Sequence, residues 1–394
     1  MRRRPRAPSL FAGQHVRMRN ADGDTDALLT LVATGGRAAV RRGLLERHAT
    51  PHAALAAGAD AWRIAGLDER QIGLMRVPDR AVLDHARHWC THEGHHLIGW
   101  HDPDYPPLLR RIASPPLALF VVGDPALLWR PAVAVVGSRA PTVAGREHAY
   151  AFALALAQAG FVVASGLASG IDAAAHRAAL TVADAATVAV LGSGPDIAYP
   201  RSHERLLAEV GTHGAVVSEH LPGTLAQREF FPSRNRILAG LGLGTLVVEA
   251  SARSGALITA RLAADAGREV FAVPGSIRNP LSRGCHRLIR DGATLVESAQ
   301  EVIEILAPLA AGHAVALRAR LNGPIPTGPC GNVRPAWDDD PDYKRLWQAL
   351  GHDPSPMDEL VESTGLTAAE LSSMLLVMEL EGRVAVEHGR YSRK

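Results

Sequence analysis

Val133-Ala134-Val135-Val136-Gly137-Ser138-Arg139 is a short, β-branched apolar run that stops at a glycine, and its reading decides the fold. A continuous apolar run of this length fits a strand buried on both faces. Five more runs of the same kind follow, at 161–164, 187–191, 215–218, 245–249 and 269–273. Most of them end in Gly or Ser and lead into a stretch with helical spacing. Strands alternating with helices predict an α/β fold with a central Rossmann-like, doubly wound parallel sheet. Such sheets bind ligands outside the carboxyl ends of their strands, so function is sought in the turns.

A nicotinamide-binding turn would read Gly-x-Gly-x-x-Gly, with an acid ending the second strand to hold a ribose. Here Arg139 takes the third place, and the second strand ends in Ala164-Ser165-Gly166. Both halves of the signature fail, and the oxidoreductase reading is set aside. An arginine at a strand's carboxyl end can instead pair with a phosphate; the competing reading is a plain surface arginine. The second turn, Ser165-Gly166-Leu167-Ala168-Ser169-Gly170-Ile171-Asp172, opens a helix. Its glycines let backbone amides approach an anion, and a helix N-terminus adds a positive field. Asp172 either belongs to that pocket or only caps the helix.

The third turn is Gly192-Ser193-Gly194-Pro195-Asp196, followed by Tyr199-Pro200-Arg201. Farther on, Phe230-Phe231-Pro232-Ser233-Arg234-Asn235-Arg236 sets aromatics beside arginines before a helix. Cations for phosphates and flat faces for bases are what a single-strand binder needs, so Phe230 and Phe231 are candidates for base stacking. Alternatively the two rings are core, and Arg234 or Arg236 pairs with Glu249. Ser254-Gly255 opens the next helix on the same rim.

Composition narrows the choice. The 394 residues are 47% hydrophobic, enough for two or three domains with a buried core. The net charge is only +2, so any nucleic-acid grip must come from charge concentrated in one place. Lys344 and Lys394 are the only lysines. Codon usage in a G+C-rich genome accounts for that bias, yet arginine still offers phosphates a planar fork of donors. Cys90, Cys285 and Cys330 are few and odd in number, which predicts a reducing, cytoplasmic setting without disulfides. No apolar run is long enough to span a membrane. No secretory signal follows the opening Met-Arg-Arg-Arg-Pro-Arg.

The predicted organisation is a disordered basic arm (1–25), an N-terminal helical (SAM-like) domain (26–100), the Rossmann-like domain (101–306), a linker (307–340) and a C-terminal winged-helix domain (341–394). Helical spacing in the second segment breaks at Gly35-Gly36, Thr50-Pro51 and Val77-Pro78. The last segment reads as helices at 358–364 and 368–381, then a wing from 384–386, a His388-Gly389 turn and 390–392. Between Asp342 and Glu381 eight acids face only Lys344 and Arg345. That helix in a DNA major groove would set acids near phosphates. A protein-contact or regulatory role is favoured, while Arg383, Arg390 and Arg393 keep a duplex-DNA role open.

Several signals are discounted. His92-Glu93-Gly94-His95-His96 matches the zinc-protease pattern, with His85, His88 and Cys90 close by. That chemistry needs one continuous helix, but Gly94 is a poor helix residue and Leu97-Ile98-Gly99-Trp100 reads as a strand. There is no P-loop and no Gly-x-Ser-x-Gly elbow, and Ser169 with His176 makes no convincing catalytic pair. No metal, no cofactor and no enzymatic activity are expected.

Taken together, the segments resemble the DNA-processing protein DprA (Smf) family. The resemblance rests on Tyr105-Pro106-Pro107-Leu108-Leu109, Gly137-Ser138-Arg139, Ser165 through Asp172, Tyr199-Pro200, Arg234-Asn235-Arg236-Ile237-Leu238-Ala239-Gly240-Leu241, Ser254-Gly255-Ala256-Leu257-Ile258-Thr259-Ala260 and Val273-Pro274-Gly275. It is dense from about 102 to 303. It implies a protein that binds and protects incoming single-stranded DNA, forms a homodimer and loads RecA recombinase in natural transformation. On the family's pattern Arg139 and Arg201 face the DNA backbone, and Gly166, Ser169 and Gly170 line the phosphate pocket. Gly137, Ser138, Ser165, Asp172, Arg234, Asn235, Arg236, Ser254 and Gly255 complete the expected rim. Arg201 stands where many members have lysine, and His286 where asparagine is usual, which bears on geometry near that helix. Two alternatives remain: a phosphoribohydrolase-like nucleotide enzyme, for which Glu249 would be the strand-end acid and 240–245 a weak Pro-Gly-Gly-x-Gly-Thr echo, or a nucleotide sensor.

Overall fold

Alternation along the central strand decides how the sheet is covered. Val133 and Val135 enter one core with Phe152 and Leu156 of helix Val143–Gln158 and Ala175 of helix Ile171–Leu180. Ala132, Ala134 and Val136 enter the opposite core with Ile237 and Leu238 of helix Phe230–Leu241 and Ala260 of helix Ala256–Asp265. A strand apolar on both faces has to be sandwiched between helix layers. Each large aliphatic side chain so buried contributes roughly 1.5–3 kcal/mol.

The computed structural model describes residues 21–183, 186–322, 341–351 and 355–368, and beyond them 371, 374–375, 378, 384–387 and 390–393. Among these, nine strands form one sheet: β1 (His95–Gly99), β2 (Ala118–Gly123), β3 (Ala132–Val136), β4 (Val162–Ser165), β5 (Thr187–Val190), β6 (Ala215–Ser218), β7 (Gly244–Val247), β8 (Glu269–Ala272) and β9 (Thr294–Leu295). Their order is β1-β2-β6-β5-β4-β3-β7-β8-β9. From β6 through β9 neighbouring strands are parallel, whereas β2 pairs antiparallel with both β6 and β1. The six strands predicted from the sequence are β3 to β8. The chain builds outward from β3 to β6, then crosses back to lay β7 against β3, so the topological switch point lies between these two. The amide of Ser138, after β3, donates to the carbonyl of Glu249, after β7, at 2.7 Å.

Three boundaries differ from expectation. Helix Ala21–Ala33 starts inside the predicted arm; residues 1–20 lie outside the described residues. The predicted border near 100 runs through the sheet, because β1 pairs with β2. The helical core of Leu28, Leu31, Trp62 and Ile72 also takes in Leu117 and Ala118, so no solvent gap separates the two segments. The predicted linker opens as helix, since Ala299–Asn322 runs well past 307 despite Pro308. Its Ala and Leu content favours helix, and Val302 and Leu306 anchor it in the core. Residues 323–340 lie outside the described residues.

The described residues from Pro341 onward belong to a separate compact unit. It contains helices Pro341–Ala349 and Met357–Thr364, the latter closed by Gly365 at φ 72°. The strands β10 (Ser355–Pro356), β11 (Val384–Glu387) and β12 (Arg390–Arg393) follow in the sheet order β10-β12-β11. Leu346, Leu360, Leu371, Leu375 and Val384 make its core. The predicted His388-Gly389 turn and most of the 368–381 helix lie outside the described residues.

Candidate nucleic-acid interface

The turns after β3, β4 and β5 converge at the carboxyl end of the sheet. Two of them are locked together: the amide of Ile171 donates to the carbonyl of Ser138 at 3.2 Å. Gly170 sits at φ 83° and a Cβ there would lie 2.8 Å from the carbonyl carbon of Arg139, so the turn accepts only glycine. Ser169 and Gly170 are half-exposed on this surface.

Above the turns lies a cation on aromatic rings. Arg139 is exposed, and its guanidinium carbon stands 5.3 Å from the centre of the Phe231 ring. Phe231 is half-buried and lies 5.0 Å, centre to centre, from Tyr199, which is 47% exposed. Phe230 turns instead onto His220, stacked at 4.1 Å. Arg201 is exposed at the edge of a groove of about 560 Å³ walled by Trp89, Ile197, Leu207 and Leu225.

Beneath this surface is a buried polar layer. Arg234 is 4% exposed, and its Nη1 donates to the carbonyl of Val190 at the end of β5. Asp172 is 6% exposed and accepts from the amides of Gly166 (3.1 Å) and Ala168 (3.4 Å). Burial pushes the Arg234 guanidinium down to about 10, with Asp172 pulling the other way and Arg139 adding to the fall. Burial likewise raises the Asp172 carboxyl, opposed first by Arg234 and then by the two amide bonds. Deeper still, His176 Nδ1 lies 2.7 Å from Thr187 Oγ1, whose proton goes to Val163 O at 2.6 Å. The hydroxyl therefore accepts from His176. Burial, with the charges of Arg234 and His203 adding, pushes this imidazole down to about 3.

At the switch point Glu249 is buried and fully engaged. One oxygen accepts from the Thr142 hydroxyl (2.7 Å) and from Asn279 Nδ2 (3.2 Å), the other from the Thr142 amide (2.9 Å). It thereby pins the N-terminus of helix Val143–Gln158, where a negative charge is favoured.

A family model for the DNA recombination-mediator protein A matches residues 96–307, which takes in the nine-stranded sheet save His95 at the start of β1. The chain belongs to the DNA recombination-mediator protein A family. A second model, for the DprA winged helix domain, matches residues 332–390. Protein Smf of Escherichia coli is 38% identical over 331 residues, 83% of this chain and 85% of that protein. The DNA processing protein DprA of Streptococcus pneumoniae is 47% identical over 202 residues, 51% of this chain and 71% of that protein. The crystal structure of that DprA superposes with a TM-score of 0.64 at 37% identity, covering 71% of this chain and 97% of that one.

Within this family frame, the residues predicted for the rim separate into two layers. Gly137, Ser138, Arg139, Ser169, Gly170, Arg201, Asn235, Ser254 and Gly255 lie at or near the surface. Ser165, Gly166, Asp172 and Arg234 lie below it. Ser165 Oγ donates to the Val135 carbonyl at 2.7 Å, and Asp172 neither caps its helix nor faces solvent. Arg234 is corrected from a surface contact to a buried support: three residues after Phe231, it follows that ring inward on the same helix face. Arg236 pairs with Glu219 at 2.5 Å, so neither arginine meets Glu249. Asn235 Nδ2 donates to the Gly255 carbonyl at 3.4 Å, and Ser254 Oγ accepts from the Ala256 amide at 3.3 Å. His286 Nε2 lies 2.9 Å from the Gly275 carbonyl, tying its helix to the turn after β8.

Sequence reasoning passed over three rim residues. Tyr199, 47% exposed beside Phe231, carries no charge or glycine signal that would mark it in the sequence. Arg253 and Arg278 are exposed on the turns after β7 and β8, and the rule that strand-end turns carry function would have found both. The zinc-like stretch is a helix end at Cys90, a turn and then β1, with the Nδ1 atoms of His92 and His95 on carbonyls of that helix end. Among the described residues no helix is long and apolar enough to cross a membrane.

Proposed function

We propose that this chain binds single-stranded DNA across the carboxyl end of its sheet and hands the strand to RecA recombinase in natural transformation. The observation that carries the reading is the stack of Arg139 on Phe231 beside Tyr199. Phosphates pair with the Arg139 and Arg201 guanidiniums and with the half-exposed end of the glycine turn. Bases lie against Phe231 and Tyr199. Aromatic stacking tolerates any base sequence, which suits a protein that meets incoming DNA of every sequence.

The rim is discriminating by shape. A duplex presents its bases edge-on inside the helix, so the rings gain nothing from it. Binding is therefore tested by titrating labelled single- and double-stranded oligonucleotides at several salt concentrations. Tighter single-strand binding that weakens with salt is the expected outcome. Equal affinity for duplex would overturn the reading.

Dimerisation extends the contact along the strand, and the winged-helix unit, with its acidic Asp342, Glu359 and Glu362, serves a protein contact. The chain acts without catalysis. The engagement of Glu249 by Thr142 and Asn279 speaks against its serving as the acid of a phosphoribohydrolase. Release of free base from nucleoside monophosphates incubated with the protein would restore that alternative.

A further inference from the structure

At the opposite end of the sheet from the rim, a cavity of about 450 Å³ opens between the amino ends of β7 and β8 and the helix Ala299–Asn322. Its walls are apolar: Leu108, Trp129, Leu243 and Leu309. Two guanidiniums, Arg111 and Arg268, and the imidazole of His313 share the lining, and among the described residues no acid does. Arg111 is exposed. Arg268 is half-buried, with Nη2 on the Leu108 carbonyl at 3.2 Å and a buried Nε that has no partner among the described residues. Burial, and then the like charge of Arg111, lowers its pKa. His313 is already occupied, its Nε2 lying 2.7 Å from the Trp129 carbonyl.

Two cations held near each other with no acid among the described lining residues leave an electrostatic cost that an incoming anion relieves. Leu309, 47% exposed on the helix side, leaves apolar surface next to that charge. We propose that this cavity is a docking site for an acidic peptide segment of a partner protein. Its carboxylates pair with Arg111 and Arg268, and an adjoining aliphatic side chain lies between Leu108, Leu243 and Leu309. Planar carboxylates match the guanidinium fork. The aliphatic walls suit Leu or Ile better than a nucleotide, whose sugar and phosphates need more polar partners than this lining supplies. The site lies apart from the proposed DNA surface, so a partner can be held while the strand is bound.

The test uses the full chain and a fluorescein-labelled peptide, Gly-Asp-Asp-Asp-Leu-Leu, followed by anisotropy. Binding is expected to weaken with salt and to be lost when the aspartates are replaced by asparagines or the leucines by serines. Arg111→Glu, on the exposed rim of the cavity, and Leu309→Glu should each weaken it at least tenfold while leaving single-stranded DNA binding unchanged. No binding of the acidic peptide, binding undiminished in both variants, or displacement of the peptide by a single-stranded oligonucleotide would each overturn the proposal. Because the peptide and DNA titrations are separate measurements, failure here is distinguishable from failure of the DNA-binding reading.

Discussion

Gly166 has no side chain because Arg234 occupies the place where one would go: a Cβ at 166 would lie 2.6 Å from the guanidinium carbon of Arg234. The guanidinium cannot easily yield, since it is buried and donates to the Val190 carbonyl. The glycine turn and the arginine helix are therefore one construction. The turn's upper end, Ser169 and Gly170, meets solvent, while its lower end is held from beneath.

This coupling predicts that Gly166→Ala damages stability as well as binding. Overpacking a filled interior costs about 1–3 kcal/mol. Urea denaturation should show a lowered midpoint with an unchanged slope, and single-stranded DNA affinity should fall with it. Normal stability would mean that Arg234 has room to move.

Arg234→Met should act mainly on folding. It removes the cation whose field opposes the rise that burial imposes on the Asp172 carboxyl, while the Gly166 and Ala168 amides still donate to it, and losing one partner in a buried polar layer costs about 1–3 kcal/mol. The double change Arg234→Met with Asp172→Asn should recover part of that loss. A variant of wild-type stability with greatly weakened DNA binding would instead return Arg234 to the DNA surface.

Arg139→Ala should leave stability within about 0.5 kcal/mol, as for other exposed positions, and weaken single-strand binding. If one phosphate contact is lost, the slope of log affinity against log salt should fall by about 0.7. Phe231→Leu should cost about 1–3 kcal/mol of binding through lost stacking. Because the guanidinium lies over that ring, the two changes together should cost less than their sum. Strict additivity in the binding isotherms would show that the pair does not act as a unit.

His176 gives a pH dependence. In the unfolded chain its imidazole titrates near 6.5, whereas in the folded chain burial holds it down to about 3. The unfolded state therefore takes up the proton first, and stability is lost as the pH falls below 6.5. The contribution is about 1 kcal/mol between pH 6.5 and 5.5. Urea midpoints of the wild type and His176→Gln at pH 7.5, 6.5 and 5.5 should show the steeper acid loss in the wild type. Parallel curves would mean that the histidine titrates normally in its pocket.

The sheet was readable because its signal is local. Six apolar runs, most of them ended by Gly or Ser, mark β3 to β8 without knowledge of their neighbours. The antiparallel β2 carries a similar run, Ala118-Leu119-Phe120-Val121-Val122, but it follows a proline-rich loop and lies outside the β/α rhythm. At two residues, β9 is too short to show any period. Beyond 307 the helix Ala299–Asn322 reads as linker, because Pro308 and Gly312 mask its helix-forming alanines.

For the site, residue type told where to look but not how deep each side chain lies. Arg139, Arg201 and Arg234 have the same chemistry and similar settings in the sequence. The chain's own residues determined the parallel sheet, the glycine turns at its carboxyl end and the presence of arginines and aromatics there. Only the tertiary structure decided that Arg139 rides on Phe231 at the surface while Arg234 lies under Gly166, 4% exposed. The physical reason is that strand and turn propensities act over a few neighbouring residues. Burial of a charge depends instead on which distant groups, here Val190 and Asp172, the fold brings to meet it.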